Sequence, residues 1–381
     1  MNIITRDPLQ YAVCGARERT LAWLDDITVD RAPLVSRYSS AHEVAAWPGL
    51  TLPGTYNAIC CRALIGGLSA GAEARADAIA WLEVHRLRNG RFRIPGMTDD
   101  TVYKRPDSAE TWQYIDFHVT NYALGAIEML DDTHTPNLVF VRPYLDTAAI
   151  DEWLTRRDWR DPWQEGNNLV NLASFLDLAT RFGAPPERTR AAAALAHLFV
   201  RLEALQNPAT SFWGVGQEAG GETLLHAMAG AMHPFHLWYL KDRPLPHHAK
   251  AVDYTLTLPA GDIMGACLDV DAVDVIFHGL GRTPLSRADA EPFLRAKLAA
   301  ILAVQNADGG FPDLLDGTLR FDGWVGGYRE PQGVSNTFAT WFRWIAIAMI
   351  AEVLWPGWRA WRFRRMIGIG FAKKAGATPH D

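Results

Sequence analysis

Three carboxylates stand close together in Cys267-Leu-Asp-Val-Asp-Ala-Val-Asp-Val-Ile-Phe277. Asp271 and Asp274 are three apart, a spacing that places both on one helix face, and Asp269 falls at or just before the expected helix start, where a carboxylate caps free N–H groups. Three acids this close cannot all ionise cheaply, because the charges repel one another and burial removes the water that would screen them. One is expected to keep its proton near neutral pH, which is what a general acid requires. The competing reading is local: Asp269 serves as an N-cap and the other two simply occupy a first turn.

Other residues carry weaker chemistry. Asp116 and His118 could pair as a carboxylate orienting an imidazole. Glu165, Asn167 and Asn168 suit either the positioning of substrate or water, or helix capping. His226, His233 and His236 include two histidines three apart, but no nearby cysteine or further ligand completes a set, so no metal centre is expected. Cys14, Cys60, Cys61 and Cys267 lack paired spacing and read as small buried hydrophobes in a reducing compartment. Among fifteen tryptophans, Trp112, Trp163, Trp213, Trp238, Trp324 and Trp341 fall near turns or helix openings. They read either as core or as a lining whose faces would stabilise a cation or stack on a sugar ring.

These groups need elements that bring them together, and the chain supplies a repeat. The turns Arg88-Asn-Gly-Arg-Phe92, Asp161-Pro-Trp163, Gln206-Asn-Pro through Phe212-Trp-Gly214, Pro259-Ala-Gly261 and Gln305-Asn-Ala-Asp-Gly-Gly-Phe311 each precede an apolar segment. Those segments open near Asp116-Phe-His118, Glu165-Gly-Asn-Asn168, His226 to His236, Asp269-Val-Asp271 and Ser335-Asn336, with an earlier one from Tyr56-Asn57 into Leu68. Openings recur at roughly fifty to sixty residues, room for two helices and their loops. Apolar positions such as Val119, Tyr122, Leu124, Ile127 and Leu130 keep helical spacing, and amphipathic stretches such as Arg188 to Leu205 alternate with the apolar ones. The pattern predicts an all-α fold with little strand, an (α/α)6 toroid of inner helices wrapped by outer ones. In such a ring the starts of the inner helices gather at one mouth, so Asp116, Asn168, His236 and Asp271 are expected to share one chamber.

Of the 381 residues, 49% are hydrophobic and 21% charged, enough for a large core. No linker or low-complexity stretch divides the chain, so residues 1–381 read as one domain with a repeat core at about 56–355. A net charge of -6 with interspersed signs excludes a phosphate-binding stripe and hence nucleic acid as partner. Met1 to Arg6 lacks the start of a signal peptide, which points to a cytoplasmic protein. Thr337 to Leu354 is long enough to span a bilayer, but Arg343 and Glu352 favour a buried core helix. Beyond it, Trp358-Arg-Ala-Trp-Arg-Phe-Arg-Arg365 mixes cations and aromatics and suits either peripheral contact with an anionic membrane or a cap on the fold.

Gln305-Asn-Ala-Asp-Gly-Gly-Phe311 resembles the Gln/Gly/aromatic repeat of the terpenoid cyclase and protein prenyltransferase superfamily, whose fold is an α/α toroid. Asp269-Val-Asp271 with the helix that follows resembles the Asp-x-Asp-Asp opening of class II terpene cyclases of the squalene-hopene cyclase type. The resemblance implies protonation-initiated cyclisation or isomerisation of an isoprenoid, with Asp271 as proton donor, Asp269 supporting it, and Asp274 approaching from the next turn. It implies no cofactor, magnesium entering only if the substrate carries a diphosphate. Asp116, His118, Asn168, His236, Trp112, Trp213 and Trp341 would then line the substrate site. Ala272 stands where the motif has its last Asp. Two other classes stay open: a glycoside hydrolase or polysaccharide lyase using Asp116 and Asp271 as its carboxylate pair, and a non-catalytic binding relative.

Overall fold

The computed structural model describes residues 7–29, 34–97, 111–215, 219–314, 328–358 and 360–363, without the side chains of residues 111–113. The described residues form α1 (Pro8–Asp26), α2 (Thr51–Ile65), α3 (Ala72–Glu83), α4 (Thr111–Leu130), α5 (Thr147–Thr155), α6 (Pro162–Phe182), α7 (Pro185–Leu205), α8 (Gly221–Leu240), α9 (His248–Thr255), α10 (Ala266–Gly279), α11 (Arg287–Ala303) and α12 (Thr337–Leu354). They contain no strand, only isolated bridges such as Ser39 to Asn336 and Arg86 to Phe92. The fold is all-α, as the periodicity predicts.

The even-numbered helices form a closed cycle of neighbours: α2 packs on α4, α4 on α6, α6 on α8, α8 on α10, α10 on α12, and α12 back on α2. This is the neighbour order that an α/α toroid requires. The odd-numbered helices lie outside, α3 on α4, α7 on α6, α9 on α10, and α11 between α1 and α12. Burial follows the same division. Every residue of α2 is buried, whereas α7 buries only Ala191, Ala194, Leu195, Leu198, Phe199 and Leu202, one stripe at three- and four-residue spacing.

The repeat has a hydrogen-bond basis. The turn residues Phe92 and Phe311 are fully buried, and each donates its backbone N–H to a threonine of the next inner helix, Phe92 to Thr120 Oγ1 at 2.8 Å and Phe311 to Thr340 Oγ1 at 2.9 Å. Gln305 anchors its turn to α1, its amide reaching the Ala16 carbonyl at 2.9 Å and Thr20 Oγ1 at 3.1 Å. Gly309 holds φ +102° and leaves no room for a Cβ, which would fall 2.2 Å from the Arg19 carbonyl oxygen. The family-like motif at 305–311 is thus a device that locks a loop onto α1.

Inner helices begin earlier than the polar residues suggest. Asp161 caps α6 through the Gln164 N–H and Asn336 caps α12 through the Ala339 N–H, but α2 starts at Thr51, α4 at Thr111 and α8 at Gly221. Asp116, His118, His233 and His236 therefore sit inside their helices and not at the openings. A buried helix can carry polar groups anywhere along its length if neighbouring helices satisfy them, so polarity alone misplaces the start.

Helices α6 and α8 approach backbone to backbone. Pro234 has no N–H for the carbonyl of Gly230 four residues earlier, and the backbone of Gly166 lies against that carbonyl; a Cβ on Gly166 would sit 1.9 Å from the Gly230 oxygen, and one on Gly230 would sit 2.1 Å from the Pro162 oxygen. Gly230→Ala is expected to destabilise the protein by about 1–3 kcal/mol through overpacking, read as a lower urea midpoint at unchanged slope.

Among the described residues one helix, Thr337–Leu354, is long and apolar enough to cross a membrane, with mean hydropathy 1.4 and 89% of it buried within the fold. That is the burial of a core helix. After it, Trp361 packs on Trp344 with ring centroids 5.8 Å apart, and the Arg362 N–H donates to the Leu64 carbonyl at 2.9 Å. The basic aromatic segment therefore caps the ring through Phe363, and residues from 364 onward lie outside the described residues.

Candidate active site

All three acids of α10 are completely buried, yet each has a different fate. Asp269 accepts from Lys297 Nζ of α11 at 2.8 Å and from Arg343 of α12 at 2.8 Å, with a longer bond from the Met264 N–H at 3.3 Å. Lys297 also donates to the Asp262 carbonyl at 2.6 Å, and Arg343 to the Asp313 carbonyl at 2.8 Å. Asp269 is a clamp joining α10, α11 and α12, so its expected supporting role in proton donation becomes structural. Asp274 pairs with His236 of α8, whose Nε2 lies 2.9 Å and 3.0 Å from the two carboxylate oxygens. His278 Nε2, one turn further along α10, lies 3.7 Å from Asp274.

Asp271 is the exception. Neither of its oxygens has a hydrogen-bond partner. Burial, and then the nearby charges of Asp274 and Asp269, hold its carboxyl well above the usual carboxylate range, which favours its neutral, protonated form. The mutual repulsion expected from the spacing acts as foreseen, but burial without a donor is the larger cause.

An aromatic cluster joins α2, α4 and α12. Tyr122 of α4 packs edge-on to Trp341 at 5.6 Å and Phe342 at 6.4 Å on α12, and is tilted against Tyr56 of α2 at 5.7 Å. Phe338 lies 4.4 Å from Phe342. The Tyr122 phenol is pushed well above its ordinary range by burial first, then by Cys267, Tyr56, Tyr114 and Asp271. Trp341 belongs to this cluster. Trp213 does not: it packs on Phe235 and Trp238 and donates to the Leu202 carbonyl at 2.9 Å, in the layer between α7 and α8. The Trp112 side chain and Trp324 lie outside the described residues.

The remaining candidates separate. Asp116 is clamped by Arg93, at 2.8 Å and 2.5 Å, and by Arg91 at 3.2 Å, an engagement that withdraws it from His118 and from a carboxylate pair with Asp271. Asn168 donates to Glu165 Oε2 at 2.8 Å, and Glu165 forms a buried pair with Arg157 at 3.1 Å while taking the Asp158 N–H at 3.0 Å. This group ties the α5–α6 loop to α6. The expectation that Asp116, Asn168, His236 and Asp271 share one chamber is corrected: Asp271, Asp274 and His236 come together, whereas Asp116 and Asn168 serve their own ion pairs. The three histidines of α8 also diverge. His226 stacks near Trp163 at 5.2 Å, His233 faces His118 closely enough to influence its titration, and His236 goes to Asp274.

Sequence reading missed His278, Lys297 and the ring set built on Tyr122. Arg343 was visible as the lone cation of an apolar helix, a signal that a buried acid must face it. Tyr122 reads only as an apolar position, and nothing in its spacing distinguishes a neighbour of the buried acid from ordinary core.

His118 is edge-on to Tyr122 at 4.3 Å, and burial, with His233 adding to it, lowers its pKa to about 3. The unfolded chain takes up this proton near pH 6.5 and the folded chain does not. The stability tied to neutral His118 is therefore whole above pH 6.5 and is lost as pH falls from there toward 3. His118→Phe is expected to reduce the loss of unfolding free energy between pH 7 and 4.5 by about 2 kcal/mol, measured by urea titration at both pH values.

A small, partly open pocket of about 30 Å³ lies between α4 and α6, lined by Asn121, Leu124, Ser174, Leu178 and Phe182 among others. It does not contain the acids of α10, although Asn121 directly precedes Tyr122. Comparison of the chain with protein-family models, with curated proteins and with solved structures finds no match. The all-α class and the geometry of α10 are accordingly what define the protein.

Proposed function

We propose that this chain is a cyclase or isomerase that starts its reaction by protonating an isoprenoid alkene, with Asp271 as the acid. The observation that carries the reading is a fully buried carboxyl without any hydrogen-bond partner, close enough to the Tyr122 ring to act on its titration. A carboxyl held neutral keeps its proton until an alkene is present. It is then a weak acid, so the driving force must come from the product side. The C–H bond forms from the alkene π pair, the proton leaves Asp271, and the carboxylate faces a carbocation. That ion pair gains roughly 4 kcal/mol at 4 Å and an effective dielectric near 20, and ring faces add about 1–2 kcal/mol each where water is excluded.

In this reading Asp274, paired with His236, stands one turn along α10 from Asp271, and Asp269, held by Lys297 and Arg343, anchors α10. Trp341 serves the cation and Trp213 only the core. The carbohydrate alternative gains no support from Asp116, whose oxygens are committed to arginines. The substrate is an isoprenoid, the location cytoplasmic, and magnesium has a part only with a diphosphate substrate. Incubating the full chain with linear isoprenoids of graded length, with and without a diphosphate, and analysing extracts by gas chromatography with mass detection tests the proposal. A cyclised or double-bond-shifted product is expected; retention of a substrate without conversion would instead mark a binding relative.

A further inference from the structure

His236, Asp274 and His278 bring three ligand atoms within 4.8 Å of one another in the interior of the fold. Their origin is simple. Asp274 and His278 are four apart on α10 and therefore share a face, and α8 packs alongside with His236 pointing at that face. The separations are 2.9–3.0 Å for His236 Nε2 to the Asp274 oxygens and 3.7 Å for His278 Nε2 to Asp274 Oδ2. Donors around a tetrahedral zinc ion at 2.0–2.1 Å stand about 3.3 Å apart, between these two values. We propose that His236, Asp274 and His278 form a binding site for a divalent transition-metal ion of the zinc or cobalt type. The proposal goes beyond the cyclase reading and does not depend on it.

The donor set selects such an ion. Two imidazoles and one carboxylate match borderline cations, and the site lacks the several oxygens that calcium or magnesium would need. Ligation through Nε2 requires the His236 proton on Nδ1, an atom buried without a hydrogen-bond partner, and an ion would take the place of the Nε2 contact with Asp274. His278 is held for the task by the Tyr239 ring, stacked on it at 4.2 Å, and the Tyr239 hydroxyl in turn lies 3.0 Å from His248 Nε2. Such outer contacts fix the orientation of ligating imidazoles. Three protein ligands leave a fourth position open, the pattern of a reactive rather than a purely structural site.

The test uses the full chain after chelator treatment and dialysis, titrated with Zn2+ by calorimetry and with Co2+ by visible absorption. One ion per chain is expected, with a cobalt spectrum of four-coordinate character. His278→Gln and Asp274→Asn should each weaken binding by about 100-fold or more, with helical content by circular dichroism confirming that the variants are folded. Asp271→Asn, which removes the proposed acid, should stay within about tenfold of the parent; it therefore separates failure of the metal site from failure of the cyclase reading. Absence of binding by the parent chain, or binding that survives both ligand substitutions, overturns the proposal, and the parent measurement stands even if a variant misfolds.

Discussion

Asp271→Asn is expected to cut turnover by about 10³-fold, a barrier increase of about 4 kcal/mol, because an amide has no proton to deliver to an alkene. The same change should leave the fold intact and raise its stability. In the folded chain Asp271 holds its proton far above pH 3.8, while the unfolded chain releases it near that value. The sign follows directly: the unfolded state is favoured progressively as pH rises above 3.8 toward the raised folded value, so the acid costs stability at pH 7. An amide of the same shape has no such cost. Measured by urea unfolding, the variant should be more stable than the parent at pH 7, with the gap closing toward pH 4. A variant that converts substrate at the parental rate removes Asp271 from the mechanism, whatever its stability.

Asp269→Ala, only two residues away on the same helix, should behave in the opposite manner. It leaves Lys297 and Arg343, both buried, without the carboxylate that balances them. Breaking a buried ion pair from one side costs about 3–5 kcal/mol, and here two cations lose their counter-charge at once, so a loss of at least about 4 kcal/mol is expected. Differential scanning calorimetry would register it as a lower Tm, with any residual turnover reduced only because α10 is no longer held. A parental Tm in Asp269→Ala would mean that the clamp across α10, α11 and α12 contributes nothing. The pair of substitutions separates chemistry from architecture within one helical turn: one residue is expected to matter for the reaction and cost stability, the other to matter for stability and leave the chemistry to its neighbour.

Much of this protein is determined locally and can be read from its residues. Apolar spacing along Val119 to Leu130 and the stripe of α7 specify helices and their wet faces, because a helix face is a periodic property of the chain itself. The turn phenylalanines announce the repeat, and the spacing of Asp271 and Asp274 puts two acids on one face wherever the helix lies. What those acids do was decided only by packing. Asp269, Asp271 and Asp274 are chemically identical in the sequence, and they differ because Lys297 and Arg343 reach the first, His236 reaches the third, and nothing donates to the second. Asp116 is diverted by Arg91 and Arg93, Asn168 by Glu165, and Trp213 by a core layer. Each of these outcomes depends on which side chains arrive from other helices, most of them far away along the chain, and a long-range partner leaves no periodic trace by which it could be foreseen.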